Sequence, residues 1–343
     1  MQNKLTQGRL LDANGHLAEA GWHTALVREY SRKDIRAGKL RIKEWDYYLI
    51  ENGEDVLCLT LDDNSYMGMI SVSVLKRSTG AQTTKSIIIP FTLGKAKLPS
   101  TSVSGDCRLS HGKNWISFAN DGRKRVLECH MEEFEKGKAL DARVVLTDTP
   151  RDSMVIATPF KEKATAFYYN QKIVGMTAEG YFTVGGEKVK FRAGNSQGLL
   201  DWGRGVWTYD NTWYWSAAMG NVDGHRFGFN LGYGFGDTSK ASENMVFVDG
   251  VAHKLNGISF NIPKTADGKD DFLKPWTFTS DDGRFEADFV PQIDRASLTS
   301  LKILISDQHQ VFGLFTGRCT LDDGSVMEFA GLPGFAEKVR NKW

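Results

Sequence analysis

Apolar and polar residues alternate with a period of two along much of the chain. In Ser65 to Val74, Tyr66, Ile70, Val72 and Val74 share one side while Ser71 and Ser73 share the other, which predicts a half-buried strand. The period recurs in Tyr181 to Val184 and, beyond Gly185-Gly186, in Lys188 to Phe191, a hairpin with its lysines outward. Leu301 to Ile305 and Val311 to Phe315 read the same way. Turn signals punctuate these runs at Asp121-Gly122, Gly185-Gly186, Asp249-Gly250, Asp282-Gly283 and Asp323-Gly324, with Asp63-Asn64 a looser case. Helical periodicity is scarce. Leu127 to Lys138 fits either a helix through Leu127, Met131 and Phe134 or a strand from Arg125, and Phe335 to Arg340 predicts a short helix after Pro333-Gly334. Parallel strands would need intervening helices, so the expected fold is mainly antiparallel β. Proline and polar residues around Thr149-Pro150 and Thr158-Pro159 divide it into two units, residues 1–158 and 159–343.

Composition narrows the function. Lys and Arg number 43 against 42 Asp and Glu, a net charge of +1, so no overall field draws the chain to nucleic acid or to an anionic membrane. Apolar runs are as short as Ile87-Ile88-Ile89, far from the roughly 20 residues of a transmembrane helix. Met1 to Gly8 lacks the apolar stretch of a secretory signal, and the expectation is a cytoplasmic protein. Cys58, Cys107, Cys129 and Cys319 form no C-x-x-C pair and read as reduced thiols. The histidines show no metal-binding spacing, and Gly232-Tyr233-Gly234 lacks the helix of a nucleotide loop, so neither metal nor cofactor is expected.

Candidate chemistry concentrates in Leu199 to Ser216, which holds Trp202, Trp207, Trp213 and Trp215, four of the nine tryptophans. Trp213 and Trp215 share a strand face, and Tyr209 extends this aromatic wall. Asp201, Arg204 and Asp210 lie among the rings; an Asp201–Arg204 ion pair is the simplest way to satisfy two of them. Downstream, Phe227, Phe229, Leu231, Tyr233 and Phe235 alternate with Gly228, Asn230, Gly232, Gly234 and Gly236, leaving one face nearly bare for a ligand or a neighbouring strand. His225 precedes this strand, and Asp237, Ser242, Glu243 and Asn244 form a polar cluster after it.

Three phrases carry a family likeness: Arg41 to Tyr48, Leu200 to Trp207, and Gly232 to Asp237 with Ala241 to Asn244. Together they resemble a bacterial family defined only as a domain of unknown function (family 2804). Phe167-Tyr168-Tyr169-Asn170, Gly180, Gly185-Gly186 and the Asp201 to Trp207 segment are more distantly similar to the carotenoid hydratase and lipocalin-like superfamily. That resemblance implies two lipocalin-like antiparallel β-barrels in one chain, acting on long apolar molecules. The relatives carry an Asp-His or Asp-Arg pair after the tryptophan, where this chain has Trp202-Gly203-Arg204-Gly205. The expected partner is a small apolar or amphipathic molecule in an aromatic-lined cavity, with Asp201 or Asp210 as a proton donor for isomerisation, cyclisation or hydration. A carrier or sensor using the same cavity, and a carbohydrate-binding or carbohydrate-active protein, are the alternatives.

Overall fold

Alternation gives every strand two faces to cover, and the chain covers them by packing one curved sheet on another. The computed structural model describes residues 2–301 and 304–342. Strand accounts for 64% of it and helix for 3%, so most backbone hydrogen bonding is made by strand pairing. A 13-stranded antiparallel sheet curls into a nearly closed barrel, and a 9-stranded antiparallel sheet forms a half-barrel. The double-barrel architecture expected from the resemblance is the one found.

In the first sheet, β1 (Ile42–Glu51), β2 (Lys163–Val184) and β3 (Gln197–Val206) lie side by side, with β3 in the middle. The second sheet contains β4 (Asp210–Val222), β5 (His225–Tyr233), β6 (Phe285–Leu301), β7 (Leu304–Thr320) and β8 (Val326–Lys342), in the spatial order β5-β4-β8-β7-β6. Thr158-Pro159 sits inside the strand Met154–Phe160, which pairs with β2, and the chain passes between the sheets at residues 207–209.

The turn signals at 121–122, 185–186, 249–250, 282–283 and 323–324 each join two paired strands, as does the segment following Asp63. The Tyr181–Phe191 hairpin and the strand through Val311 to Phe315 also form. In the Leu301 to Ile305 run, Lys302 and Ile303 lie outside the described residues, while Ser300 pairs with Ile305.

One open choice is resolved and two local expectations change. Arg125–Glu135 is a strand, resolving the helix-or-strand choice. Phe335 to Arg340 is strand within β8, not helix: an isolated helix of that length is marginal, whereas Phe335, Glu337 and Val339 alternate onto the face that meets the first sheet. The strand Met67–Lys76 is buried on both faces rather than half-buried, because the second sheet covers the serine side and Arg295 donates to Ser73 Oγ at 2.8 Å. The four cysteines are buried free thiols.

Two apolar clusters follow. One fills the half-barrel with Phe227, Phe229, Phe278, Phe285, Phe289 and Phe315. The other belongs to the first barrel but continues into Trp215, Ala217, Phe312 and Phe335 of the second sheet. The two sheets therefore share one core where they face each other.

Candidate functional site

The facing surfaces follow from register. Tyr168, Asn170 and Lys172 of β2 lie opposite Gly205, Gly203 and Asp201 of β3, which in turn lie opposite Lys43, Trp45 and Tyr47 of β1. Gly203 is required at the centre of this face: a Cβ there would fall 1.9 Å from the Trp45 ring. Trp45 instead lies over the bare backbone and stacks on Tyr168, with centroids 6.1 Å apart. From the second sheet, Trp215 of β4 is in register with Gly232 of β5 and Glu337 of β8, and Glu337 with Gln310 of β7.

Ionisable groups collect in this shared core, where charge is costly to bury. Lys172 Nζ is 2.9 Å from Asp201 Oδ2 and 3.8 Å from the centre of the Trp215 ring. Asn170 Nδ2 donates to Asp201 Oδ1 at 2.6 Å. Glu337 accepts from Trp213 Nε1 at 3.0 Å and from Gln310 Nε2 at 2.9 Å. Burial pushes its carboxyl up to about 7, against the opposing pull of the Trp213 hydrogen bond and the Lys172 charge. Burial also raises the Glu243 carboxyl, with Lys172 opposing it. Asn230 joins the groups by accepting from Trp215 Nε1 at 2.7 Å and donating to the Glu243 carbonyl at 2.8 Å.

The aromatic wall exists but closes on itself. Phe235 meets Tyr168, Trp207, Trp213 and Phe160 edge to face, at centroid distances from 4.7 to 5.3 Å. The bare side of β5 is likewise occupied by protein: a Cβ on Gly228 would lie 2.8 Å from Val174, and one on Gly232 2.6 Å from the Glu243 carboxyl. Of the two approaches expected for that face, the neighbouring strand is the one seen.

Several sequence candidates land elsewhere. Asp201 and Arg204 do not pair: three apart on a strand, they point to opposite faces. Arg204 is fully buried within the first barrel, where it pairs with Asp46 at 2.9 Å and lies over Trp202. Trp202 therefore packs away from the shared core, against Tyr30 and Tyr169. Asp210 is exposed and held by Arg340 at 3.0 Å; that hydrogen bond pulls its carboxyl below the usual range, opposite to what a proton donor needs. Tyr209 is exposed beside Lys342. His225 lies at the far hairpin, bonded to Asp249 at 2.7 Å. Asp237 caps a short 3-10 turn by accepting from the Ser239 amide. Tyr233, Ser242 and Asn244 line an open groove of about 640 Å³ with Gln2, Asn256 and Asp281.

Sequence reasoning missed Glu337, Lys172 and Gln310. Their signal was present: Glu337 alternates with Phe335 and Val339, and Lys172 precedes the apolar run Ile173-Val174. Among the described residues no cluster of three or more His, Cys, Asp or Glu side chains is disposed to hold a metal.

A family described as Domain of unknown function (DUF2804) matches residues 2–343. The chain belongs to this family. Among solved structures, the DUF2804 chain is similar to a candidate AttH protein of Nitrosomonas europaea, with TM-score 0.53 and 13% identity over 90% of this chain and 95% of that one. It also aligns with kievitone hydratase from Nectria haematococca, with TM-score 0.49 and 12% identity over 100% of this chain and 97% of that one. The first likeness is one of fold. No curated protein matches the DUF2804 chain in sequence.

Proposed function

We propose that the shared core between the sheets receives a small apolar or amphipathic molecule bearing an oxygen function, and that Glu337 is its proton donor. The observation carrying this reading is a buried carboxyl held near neutrality among tryptophans: at about 7, Glu337 is protonated often enough to give a proton and ionised often enough to take one back. Three polar atoms support an oxygen-bearing ligand. Thr158 Oγ1, Asn170 Oδ1 and Trp207 Nε1 are buried without a hydrogen-bond partner among the described residues, a state that disfavours the closed arrangement. A ligand hydroxyl serves both the Asn170 acceptor and the Trp207 donor, whereas a carbonyl serves only the donors.

The division of labour follows from the contacts. Asp201, already engaged by Lys172 and Asn170, orients rather than donates. The Trp215 face is taken by the Lys172 ammonium, so positive charge developing on a protonated ligand is left to the Trp213 ring. The reaction class is acid-assisted isomerisation, cyclisation or hydration; a carrier would use the same space without proton transfer. Packed edge to face on one another, Trp207, Trp213 and Phe235 form no parallel platform for a sugar, which speaks against the carbohydrate reading.

The test is native mass spectrometry of protein purified from its own host, followed by organic extraction. A stoichiometric apolar molecule is expected. Its conversion by the wild type, with Glu337→Gln binding but not converting it, identifies an enzyme; binding unchanged and no conversion by either identifies a carrier. No bound molecule, together with retention on a glycan array, overturns the reading.

A further inference from the structure

Phe91 and Leu93, just beyond the edge strand Ala81–Pro90, are 62% and 49% exposed. Both hold left-handed backbone, with φ of 52° and 50°, and Lys97 follows at 49°. Residues with a bulky Cβ substituent avoid this region, so such a loop needs an external hold. Asp63 supplies it. Fully buried, its carboxylate accepts from the amides of Ser65, Gly94 and Ala96 at 2.9, 2.9 and 3.3 Å, and from the Thr92 hydroxyl at 2.9 Å. The loop is thus fixed in a conformation that keeps two large apolar side chains in water.

Single exposed apolar residues are ordinary, but these have company of a particular kind. Ile88 is 60% exposed and Leu40 49%. From residue 81 to 105 the only charged side chains are Lys85, Lys95 and Lys97. Segment 31–41 adjoins the loop, with Arg32 bonded to Ser65 Oγ at 2.7 Å and lying against Gly94. That segment carries Lys33, Arg36, Lys39 and Arg41 beside Arg32, which is paired with the buried Glu44, and its one acid, Asp34, is bonded to Arg9 at 2.7 Å. In a chain of net charge +1, positive charge is concentrated here.

We infer that loop 88–97 and segment 31–41 form a docking surface for an anionic lipid bilayer. Phe91 and Leu93 enter the headgroup boundary, and the exposed Lys33, Arg36, Lys39, Lys95 and Lys97 meet the lipid phosphates. The surface borders the tryptophan end of the shared core: Arg41 donates to the Trp207 carbonyl at 2.7 Å, and Lys43 lies over the Trp207 ring. The inference stands whether or not that core binds a ligand.

Flotation with phosphatidylcholine vesicles, with and without phosphatidylglycerol, tests it. The full chain is expected to float with the phosphatidylglycerol vesicles and to release at high salt. The double variant F91N/L93N should bind at least about tenfold more weakly, with its melting temperature held or raised because asparagine accepts left-handed backbone. K95E/K97E should lose the preference for the anionic vesicles. A wild type that ignores them, or an F91N/L93N protein that floats equally well, overturns the inference. So does a wild type that does not float but forms dimers that F91N/L93N abolishes, which would make the patch a contact between copies.

Discussion

One strand, β5, separates two interiors of opposite character. On its inner side Phe227, Phe229 and Leu231 are fully buried in the half-barrel, where Phe229 meets Phe285 and Phe315 edge to face at 5.2 and 5.1 Å. On its outer side Gly228, Asn230 and Gly232 face the first sheet, and beyond them lie Lys172, Asp201, Glu243 and Glu337. The half-barrel is built as a stability-first interior, its central cluster among the described residues made of apolar side chains. The shared core holds charges that a well-packed apolar set would replace at no loss of stability. Buried, strongly perturbed groups of this kind gather at functional sites, and this contrast is the ground on which the proposed chemistry is assigned to the second interior.

That contrast can be broken most severely from either side. Phe229→Ala should lower unfolding free energy by about 3–5 kcal/mol through the cavity it leaves, and should spare whatever binds between the sheets; urea denaturation reads it. Lys172→Ala should reach about 3–5 kcal/mol by a different route, since the Asp201 carboxylate stays buried without its cation. Adding Asp201→Asn should then recover part of the loss, a rescue with no counterpart at Phe229.

A smaller effect is tied to pH. Glu337 is raised from 4.5 to about 7 in the folded chain, so its favourable contribution is complete below pH 4.5 and is lost as pH rises to about 7. At about 1.4 kcal/mol per pH unit this amounts to roughly 3 kcal/mol across the window. Glu337→Gln should remove that slope. Asp62, also pushed up to about 7 by burial, titrates in the same range, so the difference between variant and wild-type profiles is the quantity to measure. The least effect is expected at Asp210, where an Asn substitution at an exposed ion pair should stay within about 1 kcal/mol and leave ligand conversion untouched.

Strand periodicity and turn chemistry were legible because both are local. Asp249-Gly250 makes its hairpin whatever lies above it, and the alternation from Phe227 to Tyr233 separated an apolar face from a bare one; Phe235, past the strand's end and the turn at Gly234, packs instead with Tyr168, Trp207 and Trp213 of the shared core. What covered the bare face was not legible. Val174 reaches it through the packing of the two sheets, and Glu243 through the return of the loop before the strand Met245–Val248, and no spacing encodes either. The same reason explains the acids. Asp201 and Asp210 stood out because tryptophans flank them in the sequence, yet only Asp201 reaches the shared core, where its partner Lys172 comes from another strand. Glu337, far along the chain from those tryptophans, meets Trp213 only because β4 and β8 are neighbours.

The passage between the sheets takes only residues 207–209, tied by Asn211 Nδ2 donating to the Thr208 carbonyl at 2.8 Å. So short a tether holds the two halves at a very high effective concentration, and each half supplies the missing wall of the other. A protease cut here should leave the halves associated as a non-covalent pair. Separate expression should yield two insoluble pieces, each with the shared core laid open to water. The unit that can be inherited, duplicated or fused is therefore the pair of sheets, not the single barrel.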